Sequence, residues 1–190
     1  MNFPGAFPVL TTERLVLREV ADRDVEDVFE MESDPVAMRY WSQPPMQDIA
    51  EARASVERAK GLFPARVALR WSITRRDDDR MLGHLSLFNF SEQSGRGELG
   101  YGLARRHWGQ GFMQDALTAA IDYGFGPLGL RRLEADVDPR NQASLRAVER
   151  LGFAREGVLR ERWQVGDEIS DSVFLGLLAR EWRARSPKRS

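Results

Sequence analysis

Two glycines, Gly109 and Gly111, stand one residue apart in the segment "ARRHWGQGFMQDAL" (104–117), where an extended pattern changes to a helical one. Glycine at such a junction lets a ligand approach the backbone closely. The first amides of a helix lack intrahelical partners and carry partial positive charge, so a phosphate is their natural occupant. The spacing matches neither common nucleotide motif, because Lys-Ser/Thr does not follow and a third glycine is missing. The residues alone therefore predict either an anion site or an ordinary loop.

The composition excludes several classes of site and partner. A net charge of -1 and scattered arginines provide no basic patch for nucleic acid. The absence of cysteine excludes disulfides, thiolate metal sites and a Cys acyl-enzyme, and no His/carboxylate spacing indicates a metal. The start "MNFPGAFPVL" is a poor signal peptide, and no apolar run approaches the ~18–20 residues of a membrane span. We expect a cytoplasmic protein without a nucleic-acid or membrane partner.

Hydrophobic periodicity predicts one domain over residues 1–190, with a core over about 11–180 and short flexible ends. The predicted strands are 13–20, 68–76, 81–90, 97–104, 131–138 and 170–179. The predicted helices are 21–34, 48–62, 112–124 and 141–152, and residues 38–47 are expected to form a loop. This order of elements indicates an α/β (α+β) domain in which helices flank a mixed sheet. His84 is expected to be structural, and Trp163 and Trp182 to pack in the interior.

The segment from Arg106 to Gly111 resembles the Q/R-x-x-G-x-G/A signature of the GNAT acetyltransferases, which bind the pyrophosphate of acetyl-CoA. "GYGLARRHWGQGFMQDAL" (100–117) looks like the strand, loop and helix of the RimJ/RimL-like branch, the ribosomal-protein N-terminal acetyltransferases. "NQASLRAVERLGFAREG" (141–157) is similar to the second hallmark of that branch, and "TTERLVLREV" (11–20) to its first strand. The resemblance therefore runs from about residue 11 to residue 180.

The resemblance implies a GNAT fold of about seven strands and about four helices, in which strand 97–104 splays away from its parallel neighbour, strand 131–138. The pantetheine arm of acetyl-CoA would lie in this gap, where a splayed strand leaves backbone groups free to bond it. Asn141 would bond the same arm, although an Asn at this place can instead cap a helix. The residues that the resemblance assigns to acetyl-CoA are Tyr101, Leu103, Arg106, Trp108, Gly109, Gln110, Gly111, Phe112, Met113, Asn141 and Ser144.

The family's usual route is direct attack of an amine on the thioester in a ternary complex, which needs a base and a proton for the leaving thiolate. The resemblance makes Asp136 a candidate base, because related N-terminal acetyltransferases can carry a catalytic Glu at this position, five residues before Asn141. Glu98 is its rival. Each has a structural alternative, as a capping carboxylate or an ion-pair partner. The tyrosine acid of many family members is missing, since Val148 occupies its place. Ser144 is the remaining candidate, either to contact the sulfur or to cap the helix.

The acceptor is expected to be a primary amine, and a protein N-terminal α-amine is the leading choice. An α-amine is roughly 10% neutral at pH 7 whereas a lysine amine is nearer 0.04%, so a weak base suffices for the first. The alternatives are a small-molecule amine, such as an antibiotic or a polyamine, and a CoA-binding module without turnover. A homodimer is an expectation from the family. The candidate acceptor residues are Tyr40, Trp41, Trp71 and Asn89.

Overall fold

The computed structural model describes residues 1–185, and within them eight strands form one sheet accompanied by five α-helices. The strands are β1 (Leu10–Thr11), β2 (Leu15–Glu19), β3 (Leu69–Arg75), β4 (Met81–Ser91), β5 (Arg96–Leu103), β6 (Arg132–Val137), β7 (Ala154–Val165) and β8 (Glu168–Leu178). The helices are α1 (Val25–Glu32), α2 (Ile49–Leu62), α3 (Phe112–Phe125), α4 (Gln142–Leu151) and α5 (Ala179–Arg185). The expected loop at 38–47 contains neither helix nor strand.

The sheet has the order β1-β2-β3-β4-β5-β6-β8-β7, and β5–β6 is its parallel pair. These two strands pair only from Arg96 opposite Arg132 to Leu99 opposite Ala135. The rest of β5, residues 100–103, continues beside β4 but leaves β6, which continues beside β8. The predicted splay is therefore confirmed, and it opens directly after Leu99.

The helices cover both faces of the sheet because side chains alternate along its strands. On β4, Leu85 and Leu87 belong to the main core, which also contains the buried face of α3. His84, which directly precedes Leu85, points to the other face, where it approaches Glu32 of α1. The predicted apolar face of α3 is fully or nearly fully buried, and its members are Phe112, Ala116, Leu117, Ala120 and Ile121.

Three elements are absent from the predicted strands and helices, namely the two-residue strand β1, strand β7 and helix α5. Strand β7 is almost entirely exposed at the edge of the sheet, so its sequence lacks the alternation of a half-buried strand. Helix α5 includes Ala184 and Arg185, while the rest of the expected flexible C-terminal end lies outside the described residues. The N-terminus is anchored, because the Asn2 amide bonds the Leu128 carbonyl and Phe3 stacks on Phe63.

Candidate active site

The loop that leads into α3, residues 108–113 (the glycine loop), presents free backbone donors. Gly109 has φ +73° and Gly111 has φ +80°, a backbone region that glycine enters without a Cβ penalty. Within residues 1–185, the amides of Gly109 to Met113 donate no hydrogen bond, and α3 has no side-chain cap. Unpartnered amides at the positive end of a helix dipole form an anion site, so the loop fits a pyrophosphate.

Arg14, which sequence reasoning missed, fixes the glycine loop from the start of β2. Its guanidinium donates to the Gln110 carbonyl at 2.9 Å and pairs with Asp115 of α3 at 2.7 Å. It also lies 4.8 Å from the centre of the Phe112 ring. No local motif could reveal this contact, because Arg14 and Gln110 are 96 residues apart in the chain.

The side chains of two residues predicted to bind the cofactor turn away from this loop. Arg106 pairs with Glu30 and Asp27 of α1, and its Nε lies 2.9 Å from His107. The structure therefore does not bring the Arg106 guanidinium to the free amides, contrary to expectation. The Gln110 side chain likewise donates back to the Arg106 carbonyl, so that Gln110 offers a ligand only its backbone.

A cleft of about 710 Å³ extends from the glycine loop along the splayed end of β5 to the first turn of α4. Its lining includes the predicted cofactor residues Tyr101, Leu103, Trp108, Gly109, Gly111, Phe112, Met113, Asn141 and Ser144. The Leu103 carbonyl is already engaged by the Trp108 indole N–H at 2.8 Å. Among the described residues that line the cleft there are arginines but no carboxylate. These arginines are Arg39, Arg140, Arg146 and Arg150.

At the splay, Tyr101 and Ser144 form a pair of hydroxyls across the gap between β5 and α4. The Tyr101 oxygen lies 2.7 Å from Ser144 Oγ, and burial raises the pKa of this tyrosine to about 12. The Asn141 side chain accepts from the Ser144 amide at 3.1 Å, which makes it the N-cap of α4. The capping role of Asn141 is thus confirmed, while its contact with pantetheine stays a prediction.

The two candidate bases do not line the cleft. Glu98 and Tyr101 are three residues apart on β5, so alternation directs their side chains to opposite faces. Burial raises the pKa of Glu98, and the nearby charges of Asp136 and Glu134 raise it further. Asn89 opposes this by donating to Glu98 Oε2 at 2.8 Å. Glu98 thus lies beside the splay on the face opposite the cleft.

Asp136 is held by three donors. The Ser172 hydroxyl donates to it, the Trp163 indole N–H lies at 3.2 Å, and the Arg162 guanidinium at 3.5 Å. These contacts join β6 to both strands of the β7–β8 hairpin. Trp163 is 40% exposed, so the expectation that it packs in the interior was wrong. The bond from its indole N–H to Asp136 holds the Trp163 ring at this half-exposed position.

The comparisons with known proteins agree with this geometry. The acetyltransferase (GNAT) domain family matches residues 14–154. The chain belongs to the GNAT acetyltransferase family. As a GNAT acetyltransferase it takes the acetyl group from acetyl-CoA and transfers it to the nitrogen of an acceptor.

Similar proteins extend over nearly the whole chain. The uncharacterized N-acetyltransferase YoaA of Bacillus subtilis (strain 168) is 34% identical over 176 residues, 92% of this chain and 99% of that protein. A GNAT acetyltransferase crystal structure from Bacillus anthracis superposes with a TM-score of 0.82 at 25% identity, covering 92% of this chain and all of that one. The [ribosomal protein uS5]-alanine N-acetyltransferase of Escherichia coli (strain K12) is 28% identical over 181 residues, 91% of this chain and 92% of that enzyme.

The predicted acceptor residues of this GNAT acetyltransferase fall into three groups. Tyr40 and Trp41 line the cleft, with Arg39 and Arg140 each within 6 Å of the Tyr40 ring centre (5.6 and 5.7 Å). Asn89 lies outside it and bonds Glu98. Trp71 is fully buried and donates to the Pro8 carbonyl at 2.7 Å, so its assignment to the acceptor was wrong.

Beneath Trp41, the buried side chains of Glu32 and His84 meet the partly buried Arg70 on the face covered by α1. Arg70 donates to Glu32 at 3.0 Å and lies 3.1 Å from His84 Nδ1. Burial lowers the pKa of His84 well below its ordinary value, and the positive charge of Arg70 lowers it further. His84 is therefore neutral at physiological pH and structural, as expected, with Trp41 packed edge-on against its ring.

The described residues also contain no group of three His, Cys, Asp or Glu side chains arranged to hold a metal ion. Over the same residues, no helix is long and apolar enough to cross a membrane.

Proposed function

We propose that this enzyme acetylates the α-amine of a protein N-terminus, as a member of the RimJ/RimL-like branch, by direct attack of the amine on acetyl-CoA. The glycine-loop amides hold the pyrophosphate, and Asn141 and the splayed end of β5 hold the pantetheine arm. The proposal includes a cytoplasmic location, where nascent N-termini are accessible. The homodimer stays a prediction.

The observation that carries the proposal is the raised pKa of Glu98 beside the splay. A general base works best when its pKa approaches the working pH, and Glu98 is shifted in that direction. An α-amine already has a substantial neutral fraction near pH 7, so a weak carboxylate base acting through one water is sufficient. A lysine amine would need about two hundred times more help.

Glu98 is the better candidate base of the two carboxylates. Asp136 accepts from Ser172 and Trp163 and faces Arg162, so its oxygens serve the junction of β6 with the hairpin. Glu98 accepts one side-chain bond, from Asn89, and takes part in no ion pair within the described chain. We assign the proton transfer to Glu98, which requires the amine to approach the splay from the face opposite the cleft that holds acetyl-CoA. We assign a positioning role to Asp136.

The acceptor class is supported by a relative. The similar E. coli enzyme acts on an alanine of ribosomal protein uS5, according to its name. This relative favours a peptide N-terminus over a polyamine.

The test is release of free CoA with matched acceptors, detected with a thiol reagent. One peptide has a free N-terminal alanine, its partner is formylated at that amine, both carry one internal lysine, and spermidine is the third acceptor. We expect release only with the free N-terminus, and a loss of about 10²–10⁴-fold in kcat/KM for Glu98→Gln. Acetylation of spermidine or of the lysine in preference to the N-terminus would contradict the proposal.

A further inference from the structure

Arg14 holds the glycine loop by contacts that leave the cleft itself free. Its Nη1 donates to the Gln110 carbonyl at 2.9 Å, and its Nε and Nη2 both reach Asp115 Oδ2, at 2.8 and 2.7 Å. A Cβ built on Gly111 would lie 3.1 Å from Nη2, so the guanidinium packs where a side chain would otherwise stand. Arg14 is not among the described residues that line the cleft. The arginine therefore lies behind the loop and acts on a ligand through it.

The glycine loop depends on this one side chain for its conformation. Within residues 1–185, Arg14 is the only residue whose side chain bonds the backbone of residues 108–113. Glycine loses more conformational freedom on ordering than any other residue, and the bond to Gln110 lies between Gly109 and Gly111. If this bond were absent, the ligand would have to order the loop as it binds, which would weaken its binding.

Arg14 is itself placed by rigid parts of the fold. It directly precedes Leu15, which begins β2 and is fully buried in the main core. The Thr12 hydroxyl accepts from the Leu15 amide at 2.9 Å, and the Arg14 carbonyl accepts from the Arg76 amide at 3.1 Å. The guanidinium thus ties the entrance of α3 to a fixed point of the sheet.

We propose that Arg14 is a positioning residue for the donor substrate, which keeps the free amides of the glycine loop aimed at a pyrophosphate. This inference rests on the proposed function, because it requires the pyrophosphate of acetyl-CoA to bind those amides. Its consequence is selectivity: Arg14 contributes to the affinity for CoA but not to the affinity for pantetheine, which has the same arm and no pyrophosphate. The planar guanidinium bonds two acceptors at once, which the point charge of a lysine on its flexible chain does not reproduce.

The experiment measures the Kd of CoA and of pantetheine for the full chain by titration calorimetry. The chain has no cysteine, so a reductant can keep both thiols reduced. For Arg14→Met we expect the Kd of CoA to rise at least about tenfold and the Kd of pantetheine to stay unchanged. Arg14→Lys should also bind CoA more weakly than the wild type, and it carries the test if Arg14→Met does not fold. Arg23→Met is the matched control, because it removes an exposed pair with Asp79 of similar length, 2.8 Å, and it should bind both ligands as the wild type does.

A loss of CoA affinity that spares pantetheine would support the inference. Unchanged CoA affinity in Arg14→Met, or an equal loss of affinity for both ligands, would overturn it and leave the proposed function standing. Wild-type affinity for CoA in Arg14→Lys would overturn it too, because positive charge without the planar fork would then be sufficient. A wild-type protein that binds CoA no more tightly than pantetheine would instead refute the pyrophosphate site of the proposed function, and this inference with it.

Discussion

Burial raises the pKa of Glu98 and the bond from Asn89 opposes this effect, so we expect removal of Asn89 to change the pH dependence of the enzyme. Asn89 stands at an irregularity of β4 with φ +49° and donates to Glu98 Oε2 at 2.8 Å. The informative change is Asn89→Gly, because glycine keeps this backbone conformation without strain and removes only the side-chain donor. Alanine would add a conformational penalty that confuses the result.

The magnitude follows from the kind of bond that is lost. A hydrogen bond to a charged group contributes about 1.5–3 kcal/mol, and 1.36 kcal/mol corresponds to one pKa unit. The bond favours the charged carboxylate, so its loss raises the pKa of Glu98 by about one to two units. A water molecule that replaces the lost donor would make this increase smaller. Glu98 acts as a base only when charged, and activity is therefore present above its pKa and lost below it. The acid limb of kcat/KM should move to higher pH.

The assay is the pH profile of kcat/KM for CoA release with the N-terminal peptide, measured for wild type and Asn89→Gly. Arg66→Gly is the control, because Arg66 also has a positive φ, of +57°, in the turn before β3. It should leave the acid limb unchanged, and Glu98→Gln should remove the limb together with most activity. An identical acid limb in wild type and Asn89→Gly would refute the assignment of Glu98 as the base.

Two further predictions concern stability and the first turn of α4. Burial alone would raise the pKa of Asp24, but bonds from Arg18, the Ala21 amide and Ser72 outweigh it and lower the pKa. This contribution is complete above the unfolded value of ~3.9 and is lost as the pH falls below it. The Asp24 side chain is 2% exposed, and Asp24→Asn should lower Tm at pH 7 by about 6–20 °C. Asp79 pairs with the same arginine but is 51% exposed, so Asp79→Asn should lower Tm by less than about 4 °C. Equal losses of Tm for the two variants in calorimetric scans would contradict this prediction. Asn141→Ala removes the α4 cap and should lower the free energy of unfolding by about 0.5–2 kcal/mol, while Asn141→Ser should keep the cap. A urea titration in which Asn141→Ala is as stable as the wild type would exclude the capping contribution.

The sequence was informative wherever a local pattern determines local structure. The glycine pair followed by a helical apolar face located the free amides and the buried side of α3, because both depend on neighbouring residues. Asn141 before a helical run similarly predicted a cap, and the structure contains it. The splay came from the family resemblance and could not have been obtained from periodicity.

Contacts between distant segments were not predictable from the sequence. Arg14 reaches the glycine loop only through the pairing of β2 in the sheet, and Arg106 is drawn to α1 by two carboxylates far away in the chain. Trp71 was assigned to the acceptor from the substrate end of the family, and the pattern of its strand did not show that its side chain faces the core. Tyr101 was expected to act through its backbone, and its hydroxyl became relevant only when α4 was placed opposite.

The most direct test of the account is a calorimetric titration of acetyl-CoA into wild type, Gly111→Trp and Gly166→Trp. Both glycines have positive φ, but Gly111 belongs to the glycine loop and Gly166 to the turn between β7 and β8. The backbone penalty is thus shared, and only the first substitution fills the space before the free amides. We predict binding at one site per chain in wild type and Gly166→Trp, and at least about tenfold weaker binding in Gly111→Trp, a loss of about 1.4 kcal/mol. No binding to wild type, or equal affinity in the two variants, would contradict the claim that the amides of this loop hold the pyrophosphate.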